Sequence, residues 1–311
     1  MEAATLQKQY KEHLSDFYEW ETQFPDEVFL VYPENFGKRM SIDEVALSNG
    51  ELYTIITNKD KKGRKGCLAA LIRGTKAEVV NTALEKVPVE IRFAVKEITL
   101  DLANTMDWIC RTSFPFAIRT ADRFHFQKVV TDGVQDIRIK LRRKAIDEYN
   151  LEVAESKKRG WEYIAPLYSN GDTKKQLLAR GRYLLFKPKT KWTASQWERA
   201  AILFDQFPEL KKAYDLSMYF RGIFESSKTR EQGKERLQTW YKKISQTGLP
   251  DLESAANTIA THEGVILNYF RKRETNASAE SFNAKLKGFR ALLRGVRDIN
   301  FFLFRIEKLY T

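Results

Sequence analysis

The sequence predicts a mixed α/β fold, a sheet flanked by helices and interrupted by a large all-α insertion ahead of its closing helices. Three observations carry this. Lys38–Val45, Leu52–Asn58 and Gly66–Gly74 are short strand-like runs separated by SNGE and by the basic turn KDKKGRK, which indicates an antiparallel meander. Helix and strand signals then alternate to about residue 126, and helical crossovers return strands beside their neighbours. Beyond Phe126 the strand signals nearly stop, and helical spacing dominates to about Thr275.

Residues 1–37 read as a polar helix, with Tyr10, Leu14, Phe17 and Trp20 or Tyr18 at helical spacing, and then a loop broken at Pro25 and Pro33. The first part of the core spans 38–126. After the meander, Thr75–Lys86 is a helix capped by Thr75 and carrying Val79, Val80, Ala83 and Leu84. Pro88 precedes a strand from Phe93 to Leu102, FAVKEITLDL, with Asp101 at its end. A short helix, Thr105–Ser113, leads to a fifth strand, Ala117–Ala121, and to DRFH. The insertion, 127–274, contains helical runs Gln127–Ser156, Lys174–Leu185, Ala194–Phe207, Pro208–Ser226, Lys228–Gln246 and Leu252–Lys272. Asn170-Gly171, Lys187-Pro188, Pro208 and Gly248-Leu249-Pro250 break them. Residues 275–311 close the core with two helices, the last opening at Asp298 with Ile299, Phe302, Ile306 and Leu309 or Tyr310 inward.

Fifty-three Lys and Arg against 41 Asp and Glu give a net charge of +12, and 13% of residues are aromatic. Cations interleaved with aromatics favour a polyanionic partner, because neutralised phosphates release counterions and rings stack on bases. Cys67 and Cys110 form neither a zinc spacing nor a disulfide framework, so a reducing cytoplasm is expected. The charged N-terminus lacks the apolar stretch of a signal peptide, and no run suits a membrane span. His13 and His262 have no partner at a metal spacing. Trp192, Trp197 and Trp240 read as core of the insertion, although an exposed one could stack on a base.

Chemistry concentrates on Asn276–Val296. Phe282, Leu286, Phe289, Leu293 and Val296 form an apolar stripe, while Glu280, Asn283, Lys287, Arg290 and Arg294 form a second. The offset of two residues is expected to set the stripes roughly 200° apart, with Thr275 or Asn276 capping the helix. Asp43, within a strand, and Asp101, at a strand end, are residues that sheets disfavour unless paired or ligating a cation. If their strands are neighbours, a helix packed across them delivers Glu280 as a third carboxylate. Such a trio suits Mg2+, which takes hard oxygen ligands, and two ions roughly 3.5–4 Å apart would support in-line phosphoryl transfer on a nucleic-acid backbone. Lys287, Arg290 and Arg294 would hold adjacent phosphates. The plainer alternative is that both aspartates make turn hydrogen bonds at strand ends.

IDE in the first strand, a strand ending in Asp, FPFA followed by DRFH, and TNASAESFNAKLKGFRALLRGVRDINFFLFRI together resemble the DDE transposases of bacterial insertion sequences, in particular the ISL-three family. RYLLFKPKTKWTASQWERAAILFDQFPELKKAYDLSMYFRGIF resembles that family's helical insertion. The resemblance covers about residues 38–310. It implies a ribonuclease-H-like fold, two Mg2+ ions that Mn2+ may replace, and DNA strand cleavage and joining at the element's ends. By position it assigns the catalytic and metal-binding triad to Asp43, Asp101 and Glu280, with Asp122, His125 and Asn283 as accessory groups and Lys287, Arg290, Arg294 and Arg297 on DNA. A rival alignment starts the triad at Asp101 with Asp122 second. Full-length members carry a cysteine cluster and a helix-turn-helix ahead of this region. The chain has neither, so a separate DNA-recognition polypeptide is expected, together with a homo-oligomer on DNA and a nucleoid-associated, prokaryotic setting. A related nuclease without strand joining and an inert DNA-binding remnant are the alternatives.

Overall fold

The computed structural model describes residues 3–23, 29–48, 51–273, 277–292 and 298–311. The chain divides into two compact units, 1–123 with 272–311, and 124–271. The first runs α1 (Ala3–Gln9), α2 (Phe17–Gln23), β1 (Phe29–Val31), β2 (Arg39–Ser48), β3 (Glu51–Asn58), β4 (Leu68–Arg73), α3 (Ala77–Glu85), α4 (Val89–Ala94), β5 (Glu97–Leu100), α5 (Asn104–Ser113) and β6 (Ile118–Ala121). Next come α6 (Arg123–Lys158), α7 (Lys174–Arg180), α8 (Ala194–Gln206), α9 (Pro208–Ser226), α10 (Arg230–Ser245), α11 (Pro250–Thr261), α12 (Glu263–Leu267) and α13 (Tyr269–Lys272). The chain then rejoins the first unit as α14 (Ala277–Leu292) and α15 (Ile299–Tyr310).

The six strands lie in the order β1-β4-β3-β2-β5-β6. β1 to β4 and the β4-β3-β2 meander pair antiparallel, whereas β2, β5 and β6 are parallel. This is the mixed sheet of a ribonuclease-H-like fold. Period-two alternation splits the first unit into two cores. Met40, Ile42, Ile98 and Leu100 join Val80, Leu84, Met106, Ile109 and Phe114 of α3, α5 and the following turn. Val45, Leu47, Tyr53 and Ile55 face Phe17 and Trp20 of α2, Phe282 and Leu286 of α14, and Phe301, Phe302, Phe304 and Ile306 of α15. Glu307 ties this side together, accepting hydrogen bonds from Trp20 Nε1 and Tyr32 OH, both at 2.6 Å.

Several boundaries differ from the sequence expectation. β1 was expected as loop; its three residues pair with β4 at the sheet edge, Phe29 opposite Ile72. The strand expected from Phe93 begins only at Glu97, because Pro88 opens a helical turn whose carbonyl accepts from Ile91 and Arg92. Thr75 does not cap α3; Lys76 stands at that position without a side-chain bond. The run Leu252–Lys272 is three helices, interrupted at His262 and Asn268. In α15 Phe301 and Phe304 are buried, while Leu309 is exposed. Asp298 does cap that helix, accepting from Phe301 N at 3.0 Å.

In the second unit Thr173 and Thr193 open α7 and α8 with complete capping boxes. An aromatic cluster of Phe126, Phe220, Phe224, Trp240, Tyr269 and Phe270 fills its interior. Trp192 and Trp240 are buried with their indole N–H groups on Leu184 O and Leu216 O, whereas Trp197 is half exposed.

Candidate active site

The ladder register explains why Asp43 and Asp101 belong together. β2 pairs with β5 as Arg39↔Glu97, Met40↔Ile98 and Ser41↔Thr99; the same count, carried two residues further, sets Asp43 beside Asp101. β5 pairs with β6 as Thr99↔Thr120 and Leu100↔Ala121, and Asp122 N donates to Leu100 O at 2.8 Å, which sets Asp122 beside Asp101. Three carboxylate residues thus occupy one row across three adjacent parallel strands, Asp43 midway along β2 and Asp101 and Asp122 just past the C-terminal ends of β5 and β6, the end at which open α/β sheets bind ligands. Two residues lower on these strands Ser41, Thr99 and Thr120, with Thr57 of the antiparallel β3 opposite Ser41, form a second row, all buried. Lys59, immediately after β3, is also buried, and its Nζ donates to Thr99 Oγ1 at 2.9 Å.

Asp43 is only 7% exposed. Its Oδ1 accepts from Glu44 N at 2.8 Å, and its Oδ2 from Asn283 Nδ2 at 2.6 Å. Burial, and then the neighbouring Asp101 charge, hold the Glu44 carboxyl above the usual carboxylate range. The Asn283 bond places α14 over β2. Ala279, Phe282, Asn283 and Leu286 form its buried face, and Lys285 Nζ anchors the same helix to Gly63 O at 3.0 Å. The expected opposition of two stripes is therefore corrected: at 100° per residue their mean directions differ by roughly 120°, so they are adjacent. Asn283 turns to the sheet with the apolar residues, Arg290 is half-buried, and Glu280 and Lys287 are exposed on the flank.

Glu280 stands one turn before Asn283 on that flank. Asp122 is 1% exposed and closes the third strand of the row. His125 lies in the first turn of α6, in the second unit. The expected caps Thr275 and Asn276, the stripe residues Leu293, Arg294 and Val296, and Arg297 lie outside the described residues.

Among the described residues no group of three or more His, Cys, Asp or Glu side chains is gathered so that it could hold a metal ion. The donor set nevertheless suits a hard cation. Asp43, Asp101 and Asp122 offer only oxygens, and Asn283 Oδ1, beside Asp43, is buried without a hydrogen-bond partner. Rotation of that amide would turn an oxygen instead of a nitrogen toward an ion on Asp43.

Sequence reasoning missed Lys59 and Lys285. Lys59 reads as the first cation of a solvated turn, yet just past the end of β3 it reaches the face of Ile55 and Thr57, its Nζ donating to Thr99 Oγ1. No described helix is long and apolar enough to cross a membrane. A transposase family model, of the DDE type named ISL-three, matches residues 40–306. A comparison with curated proteins finds no match.

Proposed function

The chain belongs to the ISL-three family of DDE transposases, and from that premise we propose that it cleaves and joins DNA strands at the ends of an insertion sequence by metal-dependent phosphoryl transfer. The observation that carries the reading is the pairing of Asp43 with the Asp101 position on adjacent parallel strands, under a helix whose Asn283 grips Asp43. Asp43 and Asp101 would hold divalent ions, Mg2+ or Mn2+, with Glu280 brought in from the flank of α14. Bound there, such ions activate an attacking water or hydroxyl and stabilise the leaving oxygen.

The chain's own residues have separable tasks. Asn283 fixes the rotamer of Asp43, and Lys285 fixes the rotation of α14 through Gly63. Lys287 and Arg290 of α14 would neutralise phosphates of the bound strand, the task that the family resemblance also assigns to Arg294 and Arg297. Asp122, buried at the end of the row, would orient groups next to it. The starting position at Asp43 is preferred over Asp101 because α14 lies against β2 and reaches Asp43 itself through Asn283. A homo-oligomer on DNA completes the proposal.

Asp43→Asn, Asp101→Asn and Glu280→Gln should each lower metal-dependent strand cleavage by a hundred- to a thousandfold or more, on the order expected for loss of a transition-state electrostatic group. Binding to generic DNA should persist. Wild-type cleavage by any one variant removes that residue from the site. Pre-cleaved ends that are never joined to a target identify the protein as a nuclease instead.

A further inference from the structure

We propose that Lys59 is a built-in counter-cation for the carboxylate row. It acts as a positioning residue that holds Asp43 and Asp101 together in the metal-free protein and moderates their affinity for a divalent ion. The inference rests on the metal reading above. A lysine that is only 8% exposed needs an anionic partner for its ammonium group as well as a neutral hydroxyl. Two carboxylates near its strand are engaged elsewhere: Asp60 binds Arg39 Nε at 2.8 Å, and Glu97 is paired with Lys272. On the face that Ile55, Thr57 and Lys59 share, the acidic groups are those of the row. Thr99, whose Oγ1 accepts a hydrogen bond from Lys59 Nζ at 2.9 Å, precedes Asp101 by two residues, about 6.6 Å along a strand. Ser41 stands in the same register to Asp43.

The charge has two opposed effects. Without metal it offsets repulsion among carboxylates that the fold forces into one row. With metal it repels the incoming ion, and at that range in a partly buried site one unit charge alters divalent affinity by about tenfold or more.

The test uses the full chain without DNA, titrated with Mn2+ and followed by electron paramagnetic resonance of the free ion. Lys59→Met should bind Mn2+ at least about tenfold more tightly than wild type, and Lys59→Arg, which keeps the charge, within a few-fold of it. In metal-free buffer Lys59→Met should lower the melting temperature in the wild-type background, and by clearly less in the Asp101→Asn background. Unchanged or weaker Mn2+ binding by Lys59→Met, or an equal melting loss in both backgrounds, overturns the proposal. A wild-type chain that binds no Mn2+ defeats the metal reading instead, and the melting cycle then decides the Lys59 pairing by itself. Should Lys59→Met not fold, Lys59→Gln keeps a donor for Thr99 and removes only the charge.

Discussion

Asn283 shows how much one side chain settles about the site. Its amide links α14 to Asp43, and Asn283→Ala leaves Asp43 Oδ2 buried without that donor. The expected result is a loss of about 1–3 kcal/mol in urea unfolding, with cleavage falling more than DNA binding. Preserved cleavage at wild-type rate would show that Asp43 needs no help from this helix. Asp172 is a test of the same kind away from the site. It is fully buried, and although burial raises its carboxyl, hydrogen bonds from Arg199 at 2.9 Å and from Arg180 bring it below the usual range. A depressed acid contributes stability that is present above its unfolded pKa and lost as pH falls through the folded one. Asp172→Asn should therefore cost roughly 2 kcal/mol at pH 7, since both arginines are partly exposed, and the gap to wild type should close in acid. An unchanged gap at low pH would show that shape, not charge, holds the loop. Asp43 and Asp101 were legible because an acid in a strand conflicts with its surroundings. Lys59 was not, because a cation after Asn58 looks at home in a basic turn until the register shows which way it faces.

At the scale of elements, the sequence located the meander well, since its turns and apolar runs reinforce one another. It missed β1, whose three residues are a strand only by virtue of pairing with β4. It also misjudged the angle between the stripes of α14, which 100° per residue alone sets at roughly 120°, while the wall that each stripe meets is tertiary information. α10 makes the same distinction measurable. Gly233 lies in its interior, where Gly→Ala ordinarily stabilises by about 1 kcal/mol through propensity. Here an added Cβ would sit 2.2 Å from Phe270 Cε2, and that ring is buried and stacked on Phe224. The sign should reverse, with Gly233→Ala destabilising by about 1–3 kcal/mol as an overpacked core contact. Gly222, in α9, has open space around the same atom, so Gly222→Ala should be neutral or stabilising. Equal effects at the two sites in thermal melts would discount the close approach of α10 to Phe270.

For the whole molecule the decisive quantity is where the excess charge resides. Residues 124–271 contain 27 Lys and Arg against 18 Asp and Glu, and the remainder 26 against 23, so the helical unit carries +9 of the net +12. The unit that holds the carboxylate row is thus nearly balanced. Non-specific DNA affinity should come mainly from the helical unit, where Lys211, Lys212, Lys243 and Tyr219 line a concavity of about 540 Å³ between α9 and α10. Asp215 engages Lys211 at 2.8 Å and Lys189 at 3.4 Å, while Lys212 and Lys243 are exposed. Each phosphate contact contributes about 0.9 to the slope of log affinity against log salt. Reversing both exposed lysines, Lys212→Glu with Lys243→Glu, should make that slope shallower by about 2, and Lys287→Glu on α14 by about 1. In the proposed site Lys287 would hold a phosphate near the reacting one, so Lys287→Glu should also slow cleavage at saturating DNA, whereas the pair in the helical unit should leave saturated cleavage unchanged. If the pair leaves the salt slope as it was, the charge of the helical unit serves something other than the DNA backbone, and the phosphate track must be sought on the first unit alone.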